Sequence, residues 1–371
     1  MKLFDTYARL FVGLMIAASF TACGGGGGGG ATSSAAATGV TVVPALGAFS
    51  NGVRVEAYDP VTGLAIGDGA TTDATGTAVI DLGTHATSFI LKVTGNTTAK
   101  YFEEGLTTSG TDVNFTGNDV LLALVPASAA VTKGASIGVT PLTHMAAGFA
   151  VNSLSDLKVN IPAGKDAADV MYEALARVRY ITGLPVQASE RGKITFNPLL
   201  APSVLSATTK AAGINLSQAG GYYGLYLSEL SKAVSTENTP RSSLDLAKSL
   251  FNRAAAMKLL VSANTLATTS QAVTDFLASA DLLALNSAAA AVGSGSSIFL
   301  STCKTLPNAD ALTFNAVFTG ANQLNTAAGA FVPSANDLAQ MVLDLTFATD
   351  SKITKNLVSP FTETSTGANG C

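Results

Sequence analysis

From about Val40 to Val139 the apolar positions recur with period two, interrupted by short runs of turn residues. In Gly52 to Asp59, Val53, Val55 and Ala57 alternate with Arg54, Glu56 and Tyr58, the pattern of a strand with one buried face. Asp59-Pro60-Val61-Thr62-Gly63 follows. Proline presets φ and glycine accepts a positive φ, so a tight hairpin loop is expected here, with a return strand over Leu64 to Thr72. A second turn at Asp73-Ala74-Thr75-Gly76 leads into Thr77 to Leu82, and Phe89 to Val93 and Val120 to Val125 supply two more apolar strands. Six or seven short strands at intervals of roughly ten residues predict a β-sandwich.

After Val139 the period lengthens. Thr140 before Pro141 is a helix start, because the threonine oxygen caps free amides and proline lacks an amide where none is needed; Leu142, Met145, Ala146 and Phe149 then share one face. Asp166 to Thr182 carries Val170, Leu175, Val178 and Ile181 and closes at Gly183, with Pro185 beyond. A third helix is expected from Asn197-Pro198, and a fourth, capped by Ser217, with Tyr222, Leu225, Tyr226, Leu230 and Val234. Ser242 with Asp245 approximates a capping box ahead of Leu246, Leu250 and Phe251. Thr269 to Ala291 reads as one further helix, ended by Gly293-Ser294-Gly295. Six helices joined by short loops predict an antiparallel bundle. From Ile298 the pattern is mixed, with a strand over Thr313 to Phe318 and a last helix opened by Ser334 and Asp337 through Val342 and Leu345. The fold class expected is therefore multidomain α+β, a β-sandwich over 40–138 followed by an all-α helical bundle domain over 139–371.

The first residues follow neither period. Lys2 and Arg9 give a short, weakly basic region, Leu10 to Phe20 is apolar, and Thr21, Ala22 and Cys23 follow. An apolar run of roughly a dozen residues is too short for a permanent span, so residues 1–22 are expected to be a cleaved signal. Small residues just before a cysteine resemble the lipobox of bacterial lipoproteins, although Phe20 and Asp5 depart from the usual pattern. That resemblance implies that Cys23 is lipidated. The alternative is an ordinary secretory signal that leaves Cys23 near the mature N-terminus. Gly24 to Gly30 and the small residues through Gly39 make 23–39 a flexible tether. Two or three acyl chains make anchoring stable where one is marginal. Gly24 in place of Asp implies, by the same resemblance, the outer membrane.

A strand ending in Tyr58-Asp59, a Thr62-Gly63 turn, and Thr71-Thr72-Asp73-Ala74-Thr75-Gly76 before a strand resemble carboxypeptidase regulatory-like domains. The resemblance implies a transthyretin-like (Ig-like) sandwich that serves as an accessory or spacer, with no catalytic residue carried over. Val139-Thr140-Pro141-Leu142-Thr143 and Tyr180-Ile181-Thr182-Gly183-Leu184-Pro185 look like the helical region that follows such modules in proteobacterial lipoproteins.

Composition narrows the chemistry. Of 371 residues only 12% are charged, 21 Lys and Arg against 25 Asp and Glu for a net −4, about half the usual share of charge. No basic footprint for nucleic acid is present, and 47% hydrophobic residues exclude a solvated disordered chain. Two His, three Cys and no Trp leave little for metal or histidine chemistry, and no cofactor is expected. Asp68, Asp73, Asp81 and Asp112 lack the spacing of a calcium loop and read as turn and surface carboxylates.

With Cys23 assigned to lipid, Cys303 and Cys371 form a candidate disulfide that closes the C-terminal segment, against free thiols or an intermolecular link. Gly134-Ala135-Ser136-Ile137-Gly138 formally matches a nucleophile elbow, but a short β-like Gly138 to Thr140 segment follows where the elbow needs a helix, and the stretch reads as a linker between the two halves. His144 is expected in a capping or surface role and His85 in a loop. Tyr222, Tyr223 and Tyr226 form a candidate aromatic binding patch, with helix packing as the competing explanation. The function expected is a non-enzymatic binding, adhesive or scaffolding role at the envelope. Its partners would be the membrane, through the lipid, and a protein or glycan; oligomeric state is not encoded legibly. The rival is an envelope hydrolase using Ser136 or an unassigned carboxylate pair. A solute-binding protein would require alternating βα units, whereas here strands precede helices.

Overall fold

The computed structural model describes residues 39–106, 110–126, 136–182, 198–215, 220–262, 271–294 and 297–299. The described residues fold as mixed α and β structure. Nine strands come first: β1 (Gly39–Pro44), β2 (Arg54–Tyr58), β3 (Ala65–Thr71), β4 (Ala78–Asp81), β5 (Phe89–Thr94), β6 (Lys100–Glu103), β7 (Thr111–Asn114), β8 (Val120–Val125) and β9 (Ser136–Val139). Helices follow: α1 (Pro141–Ala150), α2 (Ala167–Thr182), α3 (Gly221–Ser235), α4 (Ser243–Ser262), α5 (Gln271–Leu277) and α6 (Ala280–Ser294). None of them is long and apolar enough to cross a membrane. The expected signal, tether, Cys23, Cys303, Cys371, Ser217, and the strand and helix of the C-terminal segment lie outside the described residues.

The strands form a four-stranded antiparallel sheet in the order β3-β2-β5-β8, a three-stranded sheet β4-β1-β9, and a hairpin β6-β7. Alternation was the signal for β2, and Val55 and Ala57 are buried while Arg54 is exposed. The predicted turn forms as expected. Asp59 Oδ1 accepts from the amides of Val61 (2.9 Å) and Thr62 (2.7 Å), and Gly63 takes φ 72°. Period two does not reveal that β1 pairs parallel with β9, Val42 opposite Ile137. That pairing sets the strand at the start of the described chain beside the strand that leads directly into α1.

Thr140 caps α1 as predicted: its side chain accepts from the Thr143 amide and the Thr143 hydroxyl accepts from the Thr140 amide. The expectation of a single apolar face on α1 is corrected, because all ten of its residues are buried. A helix with no charged residue and no polar face is a core helix. It runs between α2, α4 and the outer edge of the sheet at β8. Gly148 makes the approach to α4 close, since a Cβ there would lie 2.5 Å from the Phe251 carbonyl oxygen. Asp166 and Asp169 exchange side-chain to amide hydrogen bonds at 2.9 and 3.1 Å and start α2; Ser242 and Asp245 do the same at 3.1 Å before α4.

Two helical expectations are corrected. Pro198 to Asn215 contains turns and a β-bridge of Leu200 to Ile137, not a helix. Pro202 biases Ala201 toward extended backbone, and Pro198 with Pro202 leaves too short a stretch for helical hydrogen bonds. The single helix expected over Thr269 to Ala291 is divided into α5 and α6, because the Ser279 hydroxyl donates to Phe276 O at 2.6 Å and accepts from the Leu282 amide at 3.3 Å. Buried apolar residues from strands and helices alike, including Val55, Leu91, Leu122, Met145, Tyr226 and Leu285, make one continuous core.

Candidate functional site

The ionisable groups that the fold encloses are gathered where strands meet helices. On β6, Tyr101 and Phe102 are both buried, which draws the strand end inward and takes Glu103 and the following Glu104 with it. Glu103 is 0% exposed and accepts four hydrogen bonds. Its Oε1 takes the hydroxyls of Ser231 and Ser243 (2.6 Å), and its Oε2 takes the Ser243 amide at 2.7 Å and the Tyr101 hydroxyl at 3.1 Å. The Ser243 amide belongs to the first turn of α4, so the carboxylate also lies at the positive end of that helix. Burial pushes the Glu103 carboxyl up against the pull of these donors.

Glu104 is 3% exposed, and its Oε1 accepts from the Leu205 amide at 2.8 Å. Its main-chain oxygen accepts from Lys210 Nζ at 2.5 Å, and that ammonium lies over the rings of Phe102 and Phe299 at 5.9 and 5.7 Å. Burial raises the Glu104 carboxyl, opposed by hydrogen bonding with Ser228 and Leu205, reinforced by the Glu103 charge and opposed again by Lys210; the outcome is about 7. The next residue, Gly105, donates its amide to Ser231 Oγ at 2.7 Å and accepts from Ser235 Oγ at 2.6 Å. A Cβ on Gly105 would meet the Ser231 main chain at 2.4 Å, so only glycine permits the docking.

His144 is 1% exposed, which corrects the expected capping or surface role. Its ring stacks on Phe251 at 4.7 Å, and burial, with a smaller contribution from the Lys248 charge, lowers its pKa to about 3. Lys248 pairs with Asp119 at 2.5 Å. On α6, Asp281 receives Arg241 at 2.6 Å, Ser249 at 2.6 Å and Arg253.

Comparison with protein-family models, curated proteins and solved structures returns no match.

The other residues singled out from sequence are not brought together. Tyr223 and Tyr226 are each 1% exposed, so the aromatic surface patch proposed for them does not form. The Tyr223 hydroxyl hydrogen-bonds Thr140 Oγ1 at 2.5 Å, and the Tyr226 hydroxyl donates to Leu285 O at 3.3 Å; both rings are core that joins α3 to α1 and α6. The side chain of Tyr222 lies outside the described residues. Ser136 is exposed and opens β9, so no strand delivers it to a strained turn. His85 sits in a loop, with Nε2 at 3.1 Å from Ser88 O. Among the described residues no group of three or more His, Cys, Asp or Glu is placed to hold a metal ion.

Sequence reasoning missed Glu103 and Glu104, because adjacent glutamates in Lys100-Tyr101-Phe102-Glu103-Glu104-Gly105 look solvated. The available signal was on α3, where Ser228, Ser231 and Ser235 recur on one helix face and supply hydroxyls to it. Chemically the pair places two carboxyl groups side by side in an enclosed setting. Main-chain and side-chain groups of the protein serve as its hydrogen-bonding partners.

Proposed function

We propose that the chain is an outer-membrane lipoprotein, anchored through Cys23, whose folded part has a non-enzymatic binding, adhesive or scaffolding role at the envelope. The observation that carries this reading is Thr21-Ala22-Cys23 followed by the Gly24 to Gly30 run, ahead of the folded residues that begin at Gly39. From Cys23 to Gly39 a glycine-rich coil of about sixteen residues has a root-mean-square reach of roughly 20–24 Å, enough to clear lipid headgroups without fixing orientation. The finer fold reading is a transthyretin-like sandwich leading into a helical bundle. It is supported by the antiparallel β2, β3, β5 and β8 pairings and the Asp59 turn. The enclosed Glu103, His144 and Asp281 are tied to the fold by hydrogen bonds, as suits a rigid body carried on a tether.

Replacing Cys23 by Ala tests the anchor. The wild-type protein is expected in the membrane fraction with an acylated N-terminal peptide by mass spectrometry, and the variant in the soluble fraction. A variant that fractionates with membranes as fully as wild type removes the anchor and the role built on it.

A further inference from the structure

We propose that Glu103 and Glu104 form a proton-linked latch that holds the β6–β7 hairpin against α3 and α4, firmer when Glu104 carries a proton than when both carboxylates are ionised. Consecutive residues leave an extended segment on opposite sides, yet here both side chains are enclosed, one against Ser231 and Ser243 and the other against Leu205 and Ser228. The two sides differ in what they satisfy. Glu103 is saturated by four donors at the start of α4, the environment of a carboxylate. Around Glu104, the Ser228 hydroxyl proton is already directed at Gly224 O, 3.1 Å away inside α3. The Leu205 amide donates to the Glu104 carboxylate at 2.8 Å, whereas Glu103 receives four donors. An ionised Glu104 adds a second buried negative charge beside the first, with fewer donors to satisfy it.

Lys100 and Asp112 on the hairpin are exposed to solvent, and the ionisable groups that face the pair are committed. Tyr101 on β6 donates to Glu103, and Lys210 binds the Glu104 main chain. On α3, Glu229 pairs with Lys232 at 3.6 Å and accepts from Ser297. Asp245 on α4 is held by Ser242, and Arg241 in the α3–α4 connection pairs with Glu237 and Asp281. Proton uptake therefore falls to the glutamate pair. The hairpin is the element released, because Glu103 and Gly105 make its contacts to Ser231, Ser235 and Ser243, and the adjoining Glu104 binds the Leu205 amide.

Amide hydrogen exchange of the full chain, corrected for intrinsic rates, reads the latch at Gly105, Leu205 and Ser243. Protection is expected to fall by about 25-fold between pH 5.5 and pH 8, the ratio for a carboxyl near 7 in the latch and near 4.5 outside it. In Glu104→Gln the three amides are expected to show the same protection at both pH values. Wild-type protection that is flat with pH, or a variant that keeps the wild-type dependence, overturns the proposal. A carboxyl-carbon NMR titration of the wild-type protein decides independently of the variant's folding: a Glu104 midpoint near 7 supports the latch, and one below 5 overturns it.

Discussion

Nδ1 of His144 accepts a hydrogen bond from the main-chain amide of Leu122 at 3.1 Å. β8 is the outer strand of its sheet, and an antiparallel edge strand turns every second amide away from its neighbour. The Leu122 amide is one of these, and α1 satisfies it with a side chain where a further strand would otherwise be needed. The bond requires a lone pair on Nδ1, hence the neutral ring with its proton on Nε2.

This makes the fold acid-labile at His144. Its folded pKa, about 3, lies below the ordinary 6.5, so the stability is fully present above 6.5 and is lost as pH falls toward 3. At pH 5 the loss amounts to about 2 kcal/mol. Urea unfolding at pH 7.5 and pH 5 is expected to show His144→Asn, which keeps an acceptor and cannot titrate, losing about 2 kcal/mol less than wild type over that interval. Equal losses in both proteins would refute the assignment.

Glu103 offers two acceptor oxygens to four donors, and an amide cannot. Glu103→Gln presents an NH2 group to two of those donors and is expected to cost about 2–4 kcal/mol in chemical denaturation. Glu103→Leu, which abandons all four, should cost at least as much. A cost below about 0.5 kcal/mol for either would show that the network is not coupled to folding.

Gly148 is the contact point of α1 with α4. Alanine usually stabilises a helix interior by about 1 kcal/mol over glycine. Here its Cβ would fall 2.5 Å from Phe251 O and 2.9 Å from Ala254 Cβ, so Gly148→Ala is expected to destabilise by about 1–3 kcal/mol. A raised thermal midpoint in calorimetry would mean that the two helices separate without penalty.

Asp281 joins the α3–α4 connection, α4 and α6 through Arg241, Ser249 and Arg253. Burial works to raise its carboxyl, but these three groups outweigh it and hold it below the usual range. The stability it adds is therefore present at neutral pH and lost as pH falls through that depressed pKa. Asp281→Ala removes a partner from Arg241, which keeps Glu237, and from Arg253, which keeps Asp275 O, and should cost about 1–3 kcal/mol at pH 7, with Asp281→Asn intermediate. Denaturation midpoints in the order wild type, Asn, Ala are the expected result; an Ala variant matching wild type would dismiss the network as incidental.

How far the sequence was legible follows from the range of each interaction. Val53, Val55 and Ala57 disclosed β2 because the period of a strand is local, and Thr140-Pro141 and Ser242 to Asp245 disclosed helix starts because a cap is made within three residues. Ser279 was harder, since its hydroxyl serves a neighbouring turn as readily inside a helix as at a break. Tyr223 and Tyr226 show why a patch cannot be told from a core seam by spacing. The same four-residue interval suits either, and the choice belongs to Thr140 and Leu285, distant in the chain.

By itself the sequence determined the alternation of β2, the helix starts at Thr140 and Ser242, the two turns and the expectation of an anchored, tethered chain, all of which depend on neighbours along the backbone. Tertiary structure alone decided the parallel β1–β9 pairing, the burial of α1 on every side and the enclosure of Glu103, Glu104 and His144. Those rest on partners such as Ser231, Ser243 and Leu122, brought to them by packing from remote positions. Whether a charged side chain meets water or four protein donors is a property of that packing, since burial raises or lowers its proton affinity only once the surrounding residues have displaced the solvent.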